Sequence, residues 1–458
     1  MQSVTDSEAH LTRLARNAFF RLWSYPNLYN DKSRHGNQRQ GQELCDLLVV
    51  FGSDILIFSD KDCTLNLSED TETAWRRWHK AAIGKSATQA AGAERWIRNY
   101  PQRIFQDKLC TIPLPIAVPT DATFHRILTC RGAANAARQA YPGSRGSLMI
   151  TNEPLAATER TPYRIGAFGD DGRLFHVFDE VALDAVLRTL DTVNDFVSYL
   201  RRRESLFRRV KRILSTGEED LLAFYLLGSV DHNSAHQFDV PEDADLILIE
   251  ESHWNRWIES PQRAARDAAN DISYFWDYLI DRFSTHALAG DLAFAEPREI
   301  GSQEALVRWL AMENRLARRA LSTTLLDMLA AAEVGDIRRR YAVPVGPTEP
   351  YRVFLVFHRP PDLDRESYGE TRRTMLQSCM YVVKHLHDDA RDIIGVAIGL
   401  DDGQMSEDAI YLDVRTWPAS AAQLAQELHL GLGIFREPRR IRQHTDEYPL
   451  PPSEDQNG

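Results

Sequence analysis

The chain has 458 residues and a mass of 52.2 kDa, enough for about two to four domains, each with its own core. Hydrophobic residues make up 43% and charged residues 26%, which excludes collagen-like, low-complexity and wholly disordered classes. The net charge of −12 lacks the global basic footprint of a strong non-specific nucleic-acid binder, so any such contact would rest on local basic patches.

The first element is an amphipathic helix over Ser7 to Trp23, with Leu11, Leu14, Ala15, Ala18, Phe19 and Leu22 at helical spacing. The polar, basic stretch from Asn30 to Gln42 reads as a mobile loop. Two β-rich runs follow, Leu44 to Phe51 and Ile55 to Lys61, with only Gly52, Ser53 and Asp54 between them, which predicts a hairpin. Thr73 to Asn99 is helical in pattern. The runs HRILTC and GSLMI before Ile150 read as further strands of the same sheet.

Leu174 to Glu180 and Asp243 to Glu251 are strand-like, set among long helical patterns at Val181–Leu214, Glu218–Leu227, Pro261–Phe283 and Gln303–Ala332. The last part reads strand, helix, strand, strand, helix, from YRVFLVFH to Leu430, a small α/β domain. The expected fold is therefore multidomain α/β. Residues 1–150 form an α-β-β-α domain, 151–345 a mostly helical middle, 346–435 a small α/β domain and 436–458 a disordered tail.

The hairpin carries the chemistry. A two-residue turn at Ser53–Asp54 would pair Asp46 with Lys61, whereas a three-residue turn would set Asp46 opposite Asp60. Either register puts an acid beside a second ionisable group among Leu, Ile, Val and Phe. Such charges need a partner, a metal or an exposed strand end. A salt bridge at the sheet margin meets that need as well as a metal does.

With Glu43 and Asp46 on the first strand and Asp60-Lys61 ending the second, residues 7–110 resemble the restriction-endonuclease-like PD-(D/E)XK nucleases, particularly the nuclease-related-domain branch. The resemblance implies that Glu43, Asp46 and Asp60 hold Mg²⁺ or Mn²⁺ and that Lys61 is catalytic. It also implies that a helix residue, Gln89 in KSATQ one turn from Lys85, lines the site. Hard carboxylate oxygens suit Mg²⁺, and a nearby lysine offsets charge on a phosphoryl group. The chain departs from the family at Ser59, two residues before the lysine, where an Asp or Glu is usual. Three readings stay open: Asp60 substitutes through a bulge, an acid has moved to Glu69, Glu72 or Glu94, or the site has lost its activity.

Other motifs carry less. His232 and His236 are four apart but lack an H-E-x-x-H context, and His385 and His387 close a helical pattern as capping residues. GAFGDDG lacks a following GKS or GKT and reads as a turn. Trp75, Trp78 and Trp96 among Arg76, Arg77, Lys80, Arg95 and Arg98 read as a buried stripe with a solvated opposite face, rather than a base-stacking surface. The basic run Arg201–Arg212, Arg338–Arg340 and the stretch near Arg436 read first as solvated or ion-paired faces.

Five cysteines without C-x-x-C spacing argue against disulfides and structural zinc, and no long apolar run or leader pattern is present, which predicts a cytoplasmic protein. The expected function is a metal-dependent nuclease acting on DNA, or alternatively RNA, without membrane contact and with self-association open; the resemblance implies a role in bacterial defence or repair. The alternative is a nuclease-fold protein without activity that binds nucleic acid or protein, and a purely structural interaction protein is the third reading.

Overall fold

In the computed structural model, which describes residues 5–33, 40–66, 68, 70–231, 235–290, 300–344, 346, 349–438 and 445–449, helix α1 (Asp6–Trp23) begins at a capping box. Glu8 N–H donates to Thr5 Oγ1 and Thr5 N–H to the Glu8 carboxylate, satisfying two backbone groups at the helix end. Strand β1 (Ser24–Asn30) follows directly and pairs antiparallel with β2 (Gln42–Phe51), which forms a hairpin with β3 (Asp54–Asp62). The sequence reading missed β1 because Pro26 interrupts it; β1 lies at the sheet edge, where proline is tolerated.

The hairpin turn is Gly52–Ser53. Phe51 pairs with Asp54 and Leu48 with Ile57, so neither expected register occurs, and Asp46 lies opposite neither Lys61 nor Asp60 in the ladder. Gly52 takes φ +56°, a conformation that glycine adopts without a Cβ penalty, and this favours a turn one residue earlier than Ser53–Asp54.

Helix α2 (Thr71–His79), one π-helical turn (Lys80–Gly84) and α3 (Lys85–Asn99) run continuously. Strand β4 (Thr123–Arg131) lies parallel to β3 and is followed by α4 (Ala134–Ala140). Strands β5 (Met149–Thr151) and β6 (Arg164–Ile165) precede β7 (His176–Asp179). Strand β7 joins β4 in parallel and completes a five-stranded sheet of order β1-β2-β3-β4-β7. The GSLMI run does not extend this sheet, because β5 pairs with β6 and with a later strand instead.

After β7 come α5 (Glu180–Thr189), α6 (Val193–Arg209), β8 (Arg212–Ser215), α7 (Glu218–Leu226) and β9 (Leu246–Ile249), then α8 (His253–Ile258) and α9 (Pro261–Asn270). Strands β6-β5-β8-β9 form a second sheet, so the stretch read as mostly helical contains a sheet of very short strands.

Ile55, Leu56, Ile57 and Phe58 of β3 are all fully buried, as expected of a central strand covered on both faces. On one face Leu48, Val50 and Ile57 pack with Trp75, Trp78, Ile83 and Ala90 of the α2–α3 layer. On the other, Phe58 meets Phe19 of α1 at 6.3 Å between ring centroids, and Phe19 meets Phe196 of α6 at 5.3 Å. Each such buried side chain contributes roughly 1.5–3 kcal/mol. Trp75 and Trp78 thus belong to the core.

The basic run of α6 is ion-paired: Arg201 with Asp54, Arg202 with Asp231, Arg203 with Glu218 and Arg208 with Glu204. GAFGDDG is a turn, in which Gly169 N–H donates to the Arg173 carbonyl and Gly172 has φ +76°.

The chain divides into two compact units, one of Met1–Asp267 with Tyr448–Gly458 and one of Ala268–Glu447, so the divisions expected near 150 and 345 are replaced by one near 267. Strand β7 is the reason at 150, since it returns to the first sheet.

In the second unit, helices α10 (Tyr274–Ala289), α11 (Ile300–Ala311) and α12 (Arg315–Ala330) precede β10 (Ile337–Ala342), β11 (Tyr351–Phe357), α13 (Arg365–Leu386), β12 (Asp392–Asp401), β13 (Gln404–Asp413) and α14 (Ala419–Gly431). The sheet order is β10-β11-β12-β13, with β11 and β12 parallel and the outer pairs antiparallel. Strand β10 carries Arg338–Arg340 on an edge, where charged side chains hinder further strand pairing. Leu376, Met380 and Val383 of α13 pack on Val353, Ile393 and Ala397 of the sheet. Of the expected tail, residues 439–444 and 450–458 lie outside the described residues. No helix among the described residues is long and apolar enough to cross a membrane, and the five cysteines are free thiols.

Candidate functional site at the β2–β3 hairpin

Alternation along the hairpin sorts the acidic and basic residues by face. Leu48 and Ile57 share the face covered by α3, and with them, at even spacing, go Asp46, Ser59 and Lys61. Lys61 Nζ lies 3.5 Å from Asp46 Oδ2 even though the two are not ladder partners. Ser59 Oγ donates to Gln89 Oε1 at 2.9 Å, which ties the strand to α3. The β1–β2 register shifts between Leu28 and Tyr29, so that Leu28 pairs with Cys45 and Tyr29 with Glu43. This irregularity skips Leu44 and sets Glu43 near Asp46, whose pKa it raises.

Asp60 is on the opposite face. Its carboxylate accepts the Thr129 hydroxyl at 2.5 Å, on the strand that pairs Asp60 with Thr129. Asp60 therefore does not join Glu43 and Asp46, and the substitution of Asp60 for the missing acid has no geometric basis. Its backbone does take part: Asp60 N–H donates to Asp46 Oδ2 at 2.7 Å and its carbonyl accepts from Lys61 Nζ at 2.9 Å.

Among the displaced-acid candidates, Glu94 is committed elsewhere. Although burial raises its pKa, hydrogen bonds and charge from Arg126 and Arg98 outweigh this and hold it below the usual value. Glu72 is exposed in the first turn of α2, and Glu69 lies outside the described residues.

Glu43, Lys61, Lys85 and Gln89 line a cleft of about 490 Å³, together with Lys32 and Trp96. Lys32 was absorbed into the stretch read as a loop; its place beside the end of β1 is visible only once that strand is known. Asp46 sits behind this cleft, 4% exposed. Burial pushes its pKa up to about 6; the Lys61 charge opposes this, the shared hydrogen bond with Glu43 adds to it, and the Asp60 N–H opposes it. Two neighbouring carboxyl groups form a donor pair that a divalent cation can occupy, displacing the Asp46 proton where that group is protonated. Glu43 and Asp46 offer the hard oxygen donors that Mg²⁺ prefers, with the open cleft leaving room for waters.

The histidine motifs do not form a site with these residues. His232 lies outside the described residues, and His236 packs against Tyr225 at 5.5 Å between rings. His385 lies in the last turn of α13 and His387 at its C-cap.

No protein-family model matches the chain, and none of the curated proteins searched matches it.

Proposed function

We propose that the first unit is a metal-dependent nuclease of the PD-(D/E)XK type, hydrolysing phosphodiester bonds of DNA, or alternatively RNA, at the β2–β3 cleft. The observation that carries this reading is the grouping of Lys61, Asp46 and Glu43 at one end of the hairpin, with Lys61 Nζ 3.5 Å from Asp46 and Glu43 lining the same cleft as Lys61. The order helix, hairpin, helix around it, and the three lysines of the cleft, are in keeping with a polyanionic substrate.

Glu43 and Asp46 would hold Mg²⁺, which when bound supplies Lewis acidity toward a phosphate oxygen and lowers the pKa of a water. Lys61, fixed by the Asp60 carbonyl, offers a cation to the phosphoryl oxygens as negative charge builds on them. Lys32 and Lys85 draw the backbone phosphates into the cleft, and Gln89, its Oε1 held by Ser59, lines the same space. A cytoplasmic location and a role in defence or repair belong to the same proposal.

The test is nicking of supercoiled plasmid and of single strands by the full chain with Mg²⁺ or Mn²⁺. Activity that is lost in Asp46→Asn and Lys61→Ala, with circular dichroism unchanged, supports the reading. A wild-type chain that is inactive with both metals sinks it.

One observation favours the second reading, a nuclease-fold module that binds without cleaving. Ser59 spends its hydroxyl on Gln89 instead of providing an acid. Such a module would retain DNA with strong salt dependence whether or not metal is present.

A further inference from the structure

The opposite face of the first sheet carries a second arrangement of donors. We propose that His125, His176 and Glu204 form a binding site for a zinc-class transition metal ion. His125 on β4 and His176 on β7 stand on neighbouring parallel strands, with His176 paired to Ile127, so both imidazoles share the face that is turned away from the Asp46 cleft. Glu204 reaches them from α6, and one ligand atom from each residue lies within 4.8 Å of the others.

His125 gives the strongest argument. Its Nε2 is 3.0 Å from Asp54 Oδ1, and Asp54 is in turn fixed by Arg201 at 2.7 Å. The ring is 1% exposed, and its Nδ1 is buried without any hydrogen-bond partner. A buried ring nitrogen left without a partner is costly and calls for an explanation. With the Nε2 proton donated to Asp54, Nδ1 carries a lone pair that no protein donor takes up. A carboxylate that orients one ring nitrogen so that the other can bind metal is the recurrent outer-shell arrangement of histidine ligands.

His176 is equally buried, and its Nδ1 accepts a hydrogen bond from Arg203 at 3.4 Å, which leaves Nε2 as the nitrogen that can ligate. Arg203, Arg126 and Arg201 are paired with carboxylates outside the cluster, Glu218, Glu94 and Asp54, while Arg208 donates to the Oε1 of Glu204 itself and leaves its Oε2 for the metal. Glu204 is the only one of the three with an open side, 31% exposed, and provides both the anionic donor and the route from solvent.

Two imidazoles and one carboxylate select Zn²⁺, Co²⁺ or Ni²⁺ over Mg²⁺ or Ca²⁺. Ligand atoms around tetrahedral zinc stand roughly 3.3 Å apart, so side-chain rotation must draw the group inward from its present spread. The bound ion would clamp α6 onto β4 and β7.

The experiment uses the full chain carrying Glu43→Gln and Asp46→Asn, so that metal at the cleft is not counted and the outcome does not depend on nuclease activity. After chelator treatment, Zn²⁺ is added, excess is removed by dialysis, and bound zinc is measured by elemental mass spectrometry, with Co²⁺ absorption as a second readout of nitrogen ligation. About one equivalent per chain is expected, with affinity at least roughly tenfold weaker in Glu204→Gln and binding lost in His176→Asn. Glu204 is half-exposed, so its variant keeps the fold, and its result decides if His176→Asn does not fold. Folded chain without stoichiometric zinc, or zinc retained undiminished in Glu204→Gln, overturns the proposal.

Discussion

The Asp46 carboxylate accepts the backbone N–H of Asp60 at 2.7 Å, so a side chain from β2 supplies a hydrogen bond to β3 beyond the last ladder pair, Leu47 with Phe58. The acid is thereby fixed in place while the carboxylate of Asp60 itself turns to the other face and Thr129. One residue contributes its backbone to the cleft and its side chain to the opposite layer.

The raised pKa of Asp46 makes stability depend on pH. Its folded value of about 6 lies above the ordinary 3.8, so folding favours the protonated form. This contribution is whole below about pH 3.8 and is lost as pH rises through about 6, a loss on the order of 3 kcal/mol. Asp46→Asn should therefore stabilise the metal-free chain at pH 8 and change it little at pH 4, as read from urea denaturation at the two values. Equal effects at both would contradict the buried Asp46 carboxyl with its raised pKa.

Metal binding at the same pair should release protons. The affinity for Mg²⁺ should fall as pH drops through about 6, because the cation must then displace the Asp46 proton. Calorimetry in buffers of different ionisation enthalpy measures the release directly, and an affinity flat from pH 5 to 8 would argue against Glu43 and Asp46 as the donors.

Lys61→Ala removes the cation that opposes the rise in the Asp46 pKa. The Asp46 carboxyl should then titrate above 6, visible by carbon-13 NMR, while plasmid nicking falls by at least about a hundredfold, as for loss of a charge-stabilising group. Lys61 is 29% exposed, so the fold should survive.

Ser59→Asp introduces a third carboxylate beside Asp46 and breaks the hydrogen bond to Gln89. Without metal the variant should be less stable than wild type by about 1–3 kcal/mol, from like-charge crowding and an unpaired Gln89. With Mg²⁺ the loss should be recovered and nicking should increase. A variant indifferent to Mg²⁺ in thermal melts would show that position 59 does not face the metal-binding pair.

The pair Arg203–Glu218 tests the core of the first unit. Both side chains are essentially fully buried, with Arg203 Nε at 2.7 Å from Glu218 Oε1 and Tyr199 also donating to that oxygen at 2.6 Å. Arg203→Met strands the Glu218 charge and should cost about 3–5 kcal/mol by chemical denaturation. A loss below about 1 kcal/mol would mean that the pair is not buried in solution.

The sequence by itself determined the local elements. Apolar spacing gave α1, the uninterrupted run Ile55–Phe58 gave a buried strand, and Gly52 with its neighbours gave a tight turn. It also gave the identities of Glu43, Asp46, Lys61, Lys85 and Gln89, because residue type and spacing are properties of the chain alone. Only the tertiary structure decided which of these meet. A one-residue change in turn length would have put Asp60 on the Asp46 face; the two-residue turn at Gly52–Ser53 keeps Lys61 with Asp46 and sends Asp60, its strand neighbour, to the face of Thr129. Likewise, the irregular pairing of β1 with β2 turned Glu43 toward Asp46, and β1 itself was hidden by Pro26. His125, His176 and Glu204 are far apart in sequence with no motif to link them; the parallel pairing of β4 with β7 and the packing of α6 bring them together. Such long-range contacts depend on which surfaces bury against each other, and no local pattern encodes that.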